Sequence, residues 1–459
     1  MANVVYRNVK APECDCTGIP VILTDKTIKE RIEKVYAAMK KENYETLVIY
    51  ADLEHGNNFE YLTGFLPRFE EALLVLNNNH DNYMVMGNEN LNKVSKSRIP
   101  ATAVHAPYFS LPNQPMDNTV PLKDIFMGTK IGYGKKTGIV GWKNFTSAFE
   151  DNKQLYDVPS YIVDLIKELA GKENVYNATY LFIGDKGVRC TNNVNEIEHY
   201  EFGAALAGDS MLKAMDKLDI DVKETELGAC LNSLGQKNSV VTIAASGPRF
   251  VKANIYPTEN TVKLGDTISL TVRYKGGLSS RSGYAVCEPE DLPEGIQDYV
   301  DVVVKPYYNA TVEWLKNIHC GMSGNELYEL VEEVLPKEKY NWGLCPGHLC
   351  ADEEWLSSPV YKGSKEILES GMIFQLDIIP SVKGYGGTSA ESTIVLADEK
   401  LREAIRNESP VMFERMMSRR KYIENELHIT MNEDVMPMAS TLGYLRPLLL
   451  NKEKAMACD

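Results

Sequence analysis

Apolar residues recur every three to four positions over residues 26–43, at Ile28, Ile32, Val35, Tyr36 and Met39, the spacing of one helical face. The pattern then shortens. Residues 46–50 form a β-rich run, residues 71–76 a second, closed by Asn77-Asn78-Asn79, and residues 83–86 a third, ending at Gly87-Asn88. Runs at 130–132 and 139–141 continue the series. Helical spacing returns over 157–169, with Pro159 suited to a first helical turn. Strands alternating with helices predict an α/β domain with a mixed or largely parallel sheet over residues 1–185.

After Asn193 the period changes. Ile197, Phe202, Ala205, Leu206 and Leu212 alternate with Glu196, Glu198, Glu201 and Lys213, which predicts a long amphipathic helix. Residues 306–318 and 324–334 predict two more helices. Strands are expected at 240–244, 267–274, 372–379 and 392–396, with Gly276-Gly277 turning an antiparallel hairpin. Helices gathered beside an antiparallel sheet make an α+β domain, placed at residues 186–435, with a tail at 436–459.

Composition narrows the function. With 459 residues, 44% hydrophobic and 25% charged, the chain can bury a large core without disulfides. A net charge of −15 argues against coating nucleic acid or an anionic membrane. No apolar run is long enough to span a bilayer and residues 1–10 hold no apolar signal core, so a cytoplasmic protein is expected. Nine cysteines, an odd number without a repeating framework, fit a reducing compartment. Cys345, His348 and Cys350 offer three zinc-type ligands and lack a fourth.

The chemistry concentrates between Cys345 and Leu396. Three groups follow one another: His348 in C-P-G-H-L-C-A-D-E-E-W, Asp377 in S-G-M-I-F-Q-L-D-I-I-P, and Glu391 in T-S-A-E-S-T-I-V-L. Both carboxylates lie in apolar, strand-like runs. A buried carboxylate needs a metal, an ion pair or a catalytic reason, because an unpaired buried charge is costly. The plainer alternatives are a capped loop histidine and structural pairs with Lys or Arg. Ser279, Ser280 and Ser282 sit in a hairpin without a strand–turn–helix elbow, which argues against a serine nucleophile.

Several motifs in order resemble the creatinase, aminopeptidase P and methionine aminopeptidase family. These are Asn58-Phe59-Glu60-Tyr61-Leu62-Thr63-Gly64-Phe65, Ser246-Gly247-Pro248, Tyr256-Pro257-Thr258, Leu264-Gly265-Asp266, Gly347-His348, Ser370-Gly371-Met372 and Ala390-Glu391-Ser392-Thr393. The resemblance covers nearly the whole chain. It implies a pita-bread C-terminal domain preceded by a creatinase-type α/β N-terminal domain. It also implies a homodimer in which residues 58–65 and 68–71 approach the partner's site.

Metallopeptidases of that family hold two divalent ions with two Asp, one His and two Glu. His348 matches the His, Asp377 stands at the first Glu and Glu391 at the second. The Asp positions fall at Leu270 or Thr271 and at or next to Arg281. A substrate-facing His falls at Asn254, and a second His at Trp355. A dinuclear Mn, Co or Zn site is therefore not expected; the expectation is no ion, or one at His348, Asp377 and Glu391. Arg281 is expected to point into the cavity and take a substrate carboxylate, with Asn254 and Trp355 lining it.

The expected function is hydrolysis of a C–N bond, amide or peptide, in a short peptide or N-substituted amino acid, with His348, Asp377 and Glu391 catalytic. One alternative is a metal-dependent Xaa-Pro aminopeptidase. The other is a homologue that binds a small molecule or peptide without turning it over.

Overall fold

The computed structural model describes residues 3–116 and 119–459. It divides into two compact units, residues 23–190 and residues 1–22 with 191–459. The expected boundaries at 185 and 435 are thereby corrected. The N-terminal strand β1 (Val4–Asn8) belongs to the larger unit, and so does the supposed tail. Sequence spacing could not show this, because the pairing joins the two ends of the chain.

The smaller unit is built on one six-stranded mixed sheet. Its strands are β2 (Thr46–Ala51), β3 (Ala72–Asn77), β4 (Tyr83–Met86), β5 (Thr102–His105), β6 (Thr137–Val140) and β7 (Val175–Asn177), in the order β5-β4-β3-β2-β6-β7. β2 and β3 are buried along their whole length, which is why they read as continuous apolar runs. Val48, Leu73, Val75 and Val85 pack with Phe109, Phe126, Ile162 and Ile166, the last two from the Ser160–Ala170 helix. Residues 130–132 are not a strand. Lys130 has a φ of 62°, in the left-handed region, which interrupts extended pairing. The short β5, mostly exposed, carries no apolar run to announce it.

The larger unit carries a seven-stranded antiparallel sheet. Its members are β8 (Ile243–Ser246), β9 (Thr267–Tyr274), β10 (Gly277–Tyr284), β11 (His348–Leu349), β12 (Ile373–Leu376), β13 (Ser389–Leu396) and β14 (Val435–Pro437). The order is β11-β12-β13-β10-β9-β8, with β14 pairing β13. A last strand, β15 (Lys454–Cys458), pairs antiparallel with β1. The Val194–Lys217 helix begins at a capping box between Asn193 and Glu196 and lies against the β9–β10 hairpin. Gly203 permits that approach, since a Cβ there would stand 1.8 Å from the Lys275 carbonyl oxygen. Gly276, at φ 105°, makes the tight turn that the same approach requires.

On β9, Ile268, Leu270 and Val272 are fully buried, while Ser269 and Thr271 between them are only half-buried. The sheet thus has an apolar face and a polar face. Thr271 pairs with Ser280, and Ser280 with Glu391, so these three share the polar face. Arg281 pairs with Leu270 and Ala390 and points to the other.

Candidate metal centre

Three strands deliver the cluster. Glu391 comes from the middle of β13. Asp377 follows Leu376, where β12 leaves the ladder. His348 opens β11, opposite Gln375. All three side chains are buried, and one ligand atom from each lies within 4.8 Å of the others. Among the described residues no other trio of His, Cys, Asp or Glu is so placed.

The histidine is fixed on three sides. Trp355 stacks on it at 4.2 Å between ring centroids and 19° between planes. Its Nδ1 lies 3.2 Å from the Leu349 carbonyl oxygen, which can only accept, so Nδ1 carries the proton. In the neutral ring, Nε2 is then a bare lone pair. It faces Glu354 Oε1 at 3.5 Å and Asp377 Oδ2 at 3.8 Å. Burial pushes the His348 pKa down, which favours that neutral form.

The carboxylates shift the other way. Burial, then the charge of Glu354, pushes Asp377 up to about 7. Glu391 is raised well above the carboxylate range by burial, then by Asp377 and Glu354. A lone pair and two carboxyl groups converging on one desolvated point repel one another unless a proton or a cation lies between them. One imidazole nitrogen and two carboxylates suit a single divalent transition ion. Two hydroxyls share the cluster's face: Thr271 and Ser280, with Thr271 Oγ1 2.9 Å from Ser280 Oγ.

Two further residues complete the centre, and motif reading assigned them no role. Glu354 is held by Arg273, whose Nε donates to its Oε2 at 2.5 Å. Arg273 is buried and also donates to the Asp352 and Ala351 carbonyls, both at 2.8 Å, and to Ser239 Oγ. Arg273 stands two positions from Thr271 on β9, the same side-chain parity, and an arginine in a strand is a signal that a buried carboxylate is near.

The structure brings together His348, Asp377, Glu391 and Trp355. It corrects the expectation for Arg281. That guanidinium donates to the carbonyls of Tyr444 (2.9 Å), Ser280 (2.6 Å), Glu391 (2.8 Å) and Thr441. These are main-chain acceptors on the opposite side from the Glu391 carboxylate, so Arg281 is an internal brace. Asn254 lines a cavity of about 390 Å³ beside β8, where its Oδ1 accepts from the Tyr256 amide.

Residues 198–399 match the family model for metallopeptidase family M24. No curated protein sequence matches the chain. Among solved structures, the Xaa-Pro dipeptidase from Bacillus anthracis aligns at 16% identity, covering 81% of this chain and 96% of that one, with a TM-score of 0.60. The dipeptidase from Pyrococcus horikoshii OT3 aligns at 20%, covering 80% and 94%, with a TM-score of 0.60. The X-Pro aminopeptidase from Thermotoga maritima MSB8 aligns at 15%, covering 80% and 95%, with a TM-score of 0.57. The expected pita-bread architecture with an α/β unit preceding it is therefore the fold of this chain, and the segment similar to the M24 family carries the cluster on the polar face of its sheet.

Proposed function

We propose that the chain belongs to the M24 metallopeptidases and hydrolyses a peptide bond in short peptides at a centre holding one divalent ion on His348, Asp377 and Glu391. The observation that carries this is the convergence of one ligand atom each from buried His348, Asp377 and Glu391 to within 4.8 Å of one another. The similar structures, a Xaa-Pro dipeptidase and an X-Pro aminopeptidase among them, support short peptides as the substrate class.

A divalent ion bound there would lower the pKa of a coordinated water and polarise a carbonyl. The chain's own residues set up the rest. Leu349 fixes the His348 tautomer, and Trp355 fixes its ring plane. Arg273 holds Glu354 beside Nε2, so Glu354 can take up or return a proton near the centre. Burial of Glu391 and Asp377 keeps bulk water from competing for the site. We propose further that the protein works as a two-fold homodimer in a reducing, cytoplasmic compartment; an odd number of cysteines without a repeating framework supports the latter.

The test combines metal analysis with hydrolysis of a panel of Xaa-Pro and other short peptides. One ion per chain, lost in His348→Ala together with turnover, is the expected result. Two ions per chain would restore the dinuclear alternative. No ion and no turnover would leave a binding homologue.

A further inference from the structure

His348 and Glu354 belong to one short hairpin. The Leu349 amide donates to the Ser357 carbonyl at 2.8 Å, and the Leu356 amide returns to the Leu349 carbonyl at 2.9 Å, so residues 350–356 fold back beside β11. This loop is pinned by the β9–β10 hairpin and by the Val194–Lys217 helix. Arg273 donates to the Asp352 and Ala351 carbonyls, and the Gly276 amide donates to that same Ala351 carbonyl at 2.8 Å. Lys275 pairs with Asp352 at 3.3 Å, and the Tyr200 hydroxyl donates to Asp352 Oδ2 at 2.9 Å. A carboxylate on so constrained a loop keeps little freedom beyond its own side-chain torsions.

The Glu354 carboxylate is divided between two neighbours. Oε2 accepts from Arg273 Nε at 2.5 Å, whereas Oε1 lies 3.5 Å from His348 Nε2, nearer than Asp377 Oδ2 at 3.8 Å. Glu354 stands outside the trio whose ligand atoms are mutually within 4.8 Å. It is also the acid that solvent reaches, with a side chain 20% exposed against 8% for Asp377. An ion arriving from solvent meets Glu354 first, and a turn of its side chain carries Oε1 towards the point that Nε2 faces. Arg273 offsets the charge that Glu354 adds, so a third carboxylate can stand beside Asp377 and Glu391. Both of these register it: after burial, the Glu354 charge raises Asp377, and after burial and Asp377 it raises Glu391.

We propose that Glu354 is a fourth ligand of the ion held by His348, Asp377 and Glu391, binding through Oε1 while Arg273 keeps Oε2. This rests on the one-ion reading above and adds to it a ligand from the loop after β11. One imidazole nitrogen and three carboxylate oxygens make an oxygen-rich set, which suits an ion of octahedral preference such as Mn²⁺. Such an ion keeps positions for water and substrate beside four protein ligands. A ligand tethered through its other oxygen can also leave and return, so the proton-carrying role of Glu354 stands beside this one.

The experiment titrates the metal-free protein with Mn²⁺ by calorimetry and, separately, saturates it with Co²⁺, whose visible absorption reports coordination number and geometry. Loss of a residue that only supports a ligand costs about 10–100-fold in metal affinity. Glu354→Ala should weaken Mn²⁺ binding by more than that, and should shift the cobalt bands at saturating metal. Added acetate, which can enter the space of the missing carboxylate, should move the bands back towards those of the wild type. Glu354→Gln keeps an acceptor for Arg273, so it should remain folded by circular dichroism without metal and still show the altered cobalt spectrum. If Glu354→Ala does not fold, Glu354→Gln decides alone. Cobalt bands in folded Glu354→Gln identical to those of the wild type overturn the assignment, whatever the affinity, and leave Glu354 as a partner of Arg273. A wild-type protein that takes up neither Mn²⁺ nor Co²⁺ overturns the one-ion reading itself, and the fourth ligand with it.

Discussion

One carbonyl sets the character of His348. Because Leu349 occupies Nδ1, the lone pair falls on the side where Asp377 and Glu354 converge. The carboxyls respond by keeping their protons to higher pH than they would in an unfolded chain. Asp377 titrates near 7 in the native protein against 3.8 when unfolded, and Glu391 is shifted in the same direction. Without a bound ion, the native state therefore binds more protons than the unfolded state between about pH 4 and pH 7, and stability falls as pH rises through that window. Thermal melts of chelator-treated protein should show this against Asp377→Asn, which removes the titrating group. The difference between the two Tm values should change across the window, with the wild type losing ground towards neutral pH. Parallel curves for the two proteins would mean that Asp377 is not desolvated as the structure places it.

At the scale of elements, the difference between legible and illegible was a matter of parity. His348, Asp377 and Glu391 could be named from sequence because each sits in a short run whose flanking residues carry a recognisable pattern. Arg281 could not be oriented, since a one-residue change in register moves a side chain to the other face of a sheet. Glu354 lacked any pattern; it reaches His348 only because Arg273, from a strand some eighty positions earlier, fixes it there. The hairpin left Leu270 and Thr271 as alternatives, and which of its residues shared the cluster's face required the pairing itself. The corrected position of Arg281 changes what its removal should do. Three carbonyls at 2.6–2.9 Å and a fourth at Thr441 would lose a charged donor inside the protein. Arg281→Ala should therefore cost about 3–5 kcal/mol in chemical denaturation, read as a lower midpoint at unchanged slope. A variant with the wild-type midpoint and selectively lost binding of carboxylate ligands would instead return Arg281 to the substrate site.

At the scale of the whole molecule, the chain's two ends finish the larger unit together. β1 pairs with β15 from Val4–Cys458 to Asn8–Lys454, and the Asp459 amide donates to the Asn3 carbonyl at 2.9 Å. Further along, the Asp15 and Cys16 amides donate to Asp209 at 3.0 and 3.1 Å, and Arg419 grips Asp15 at 2.6 and 2.7 Å while also pairing with Glu201 at 2.7 Å. Residues 3–22 thus supply a strand partner and satisfy polar groups on the Val194–Lys217 helix, although the smaller unit separates them in sequence from everything they touch. Residues 191–459 expressed alone would leave β15 unpaired and Asp209 short of two donors, and should aggregate or lack a cooperative melt. The same segment joined through a short Gly-Ser linker from Asp459 to Asn3, and continued to residue 22, restores every one of those contacts. The ends already hydrogen-bond, so a few residues suffice to bridge them. That permutant should be soluble and unfold in one cooperative transition, followed by circular dichroism. If residues 191–459 alone unfold cooperatively at the permutant's midpoint, the N-terminal segment is an appendage and not part of the unit's core.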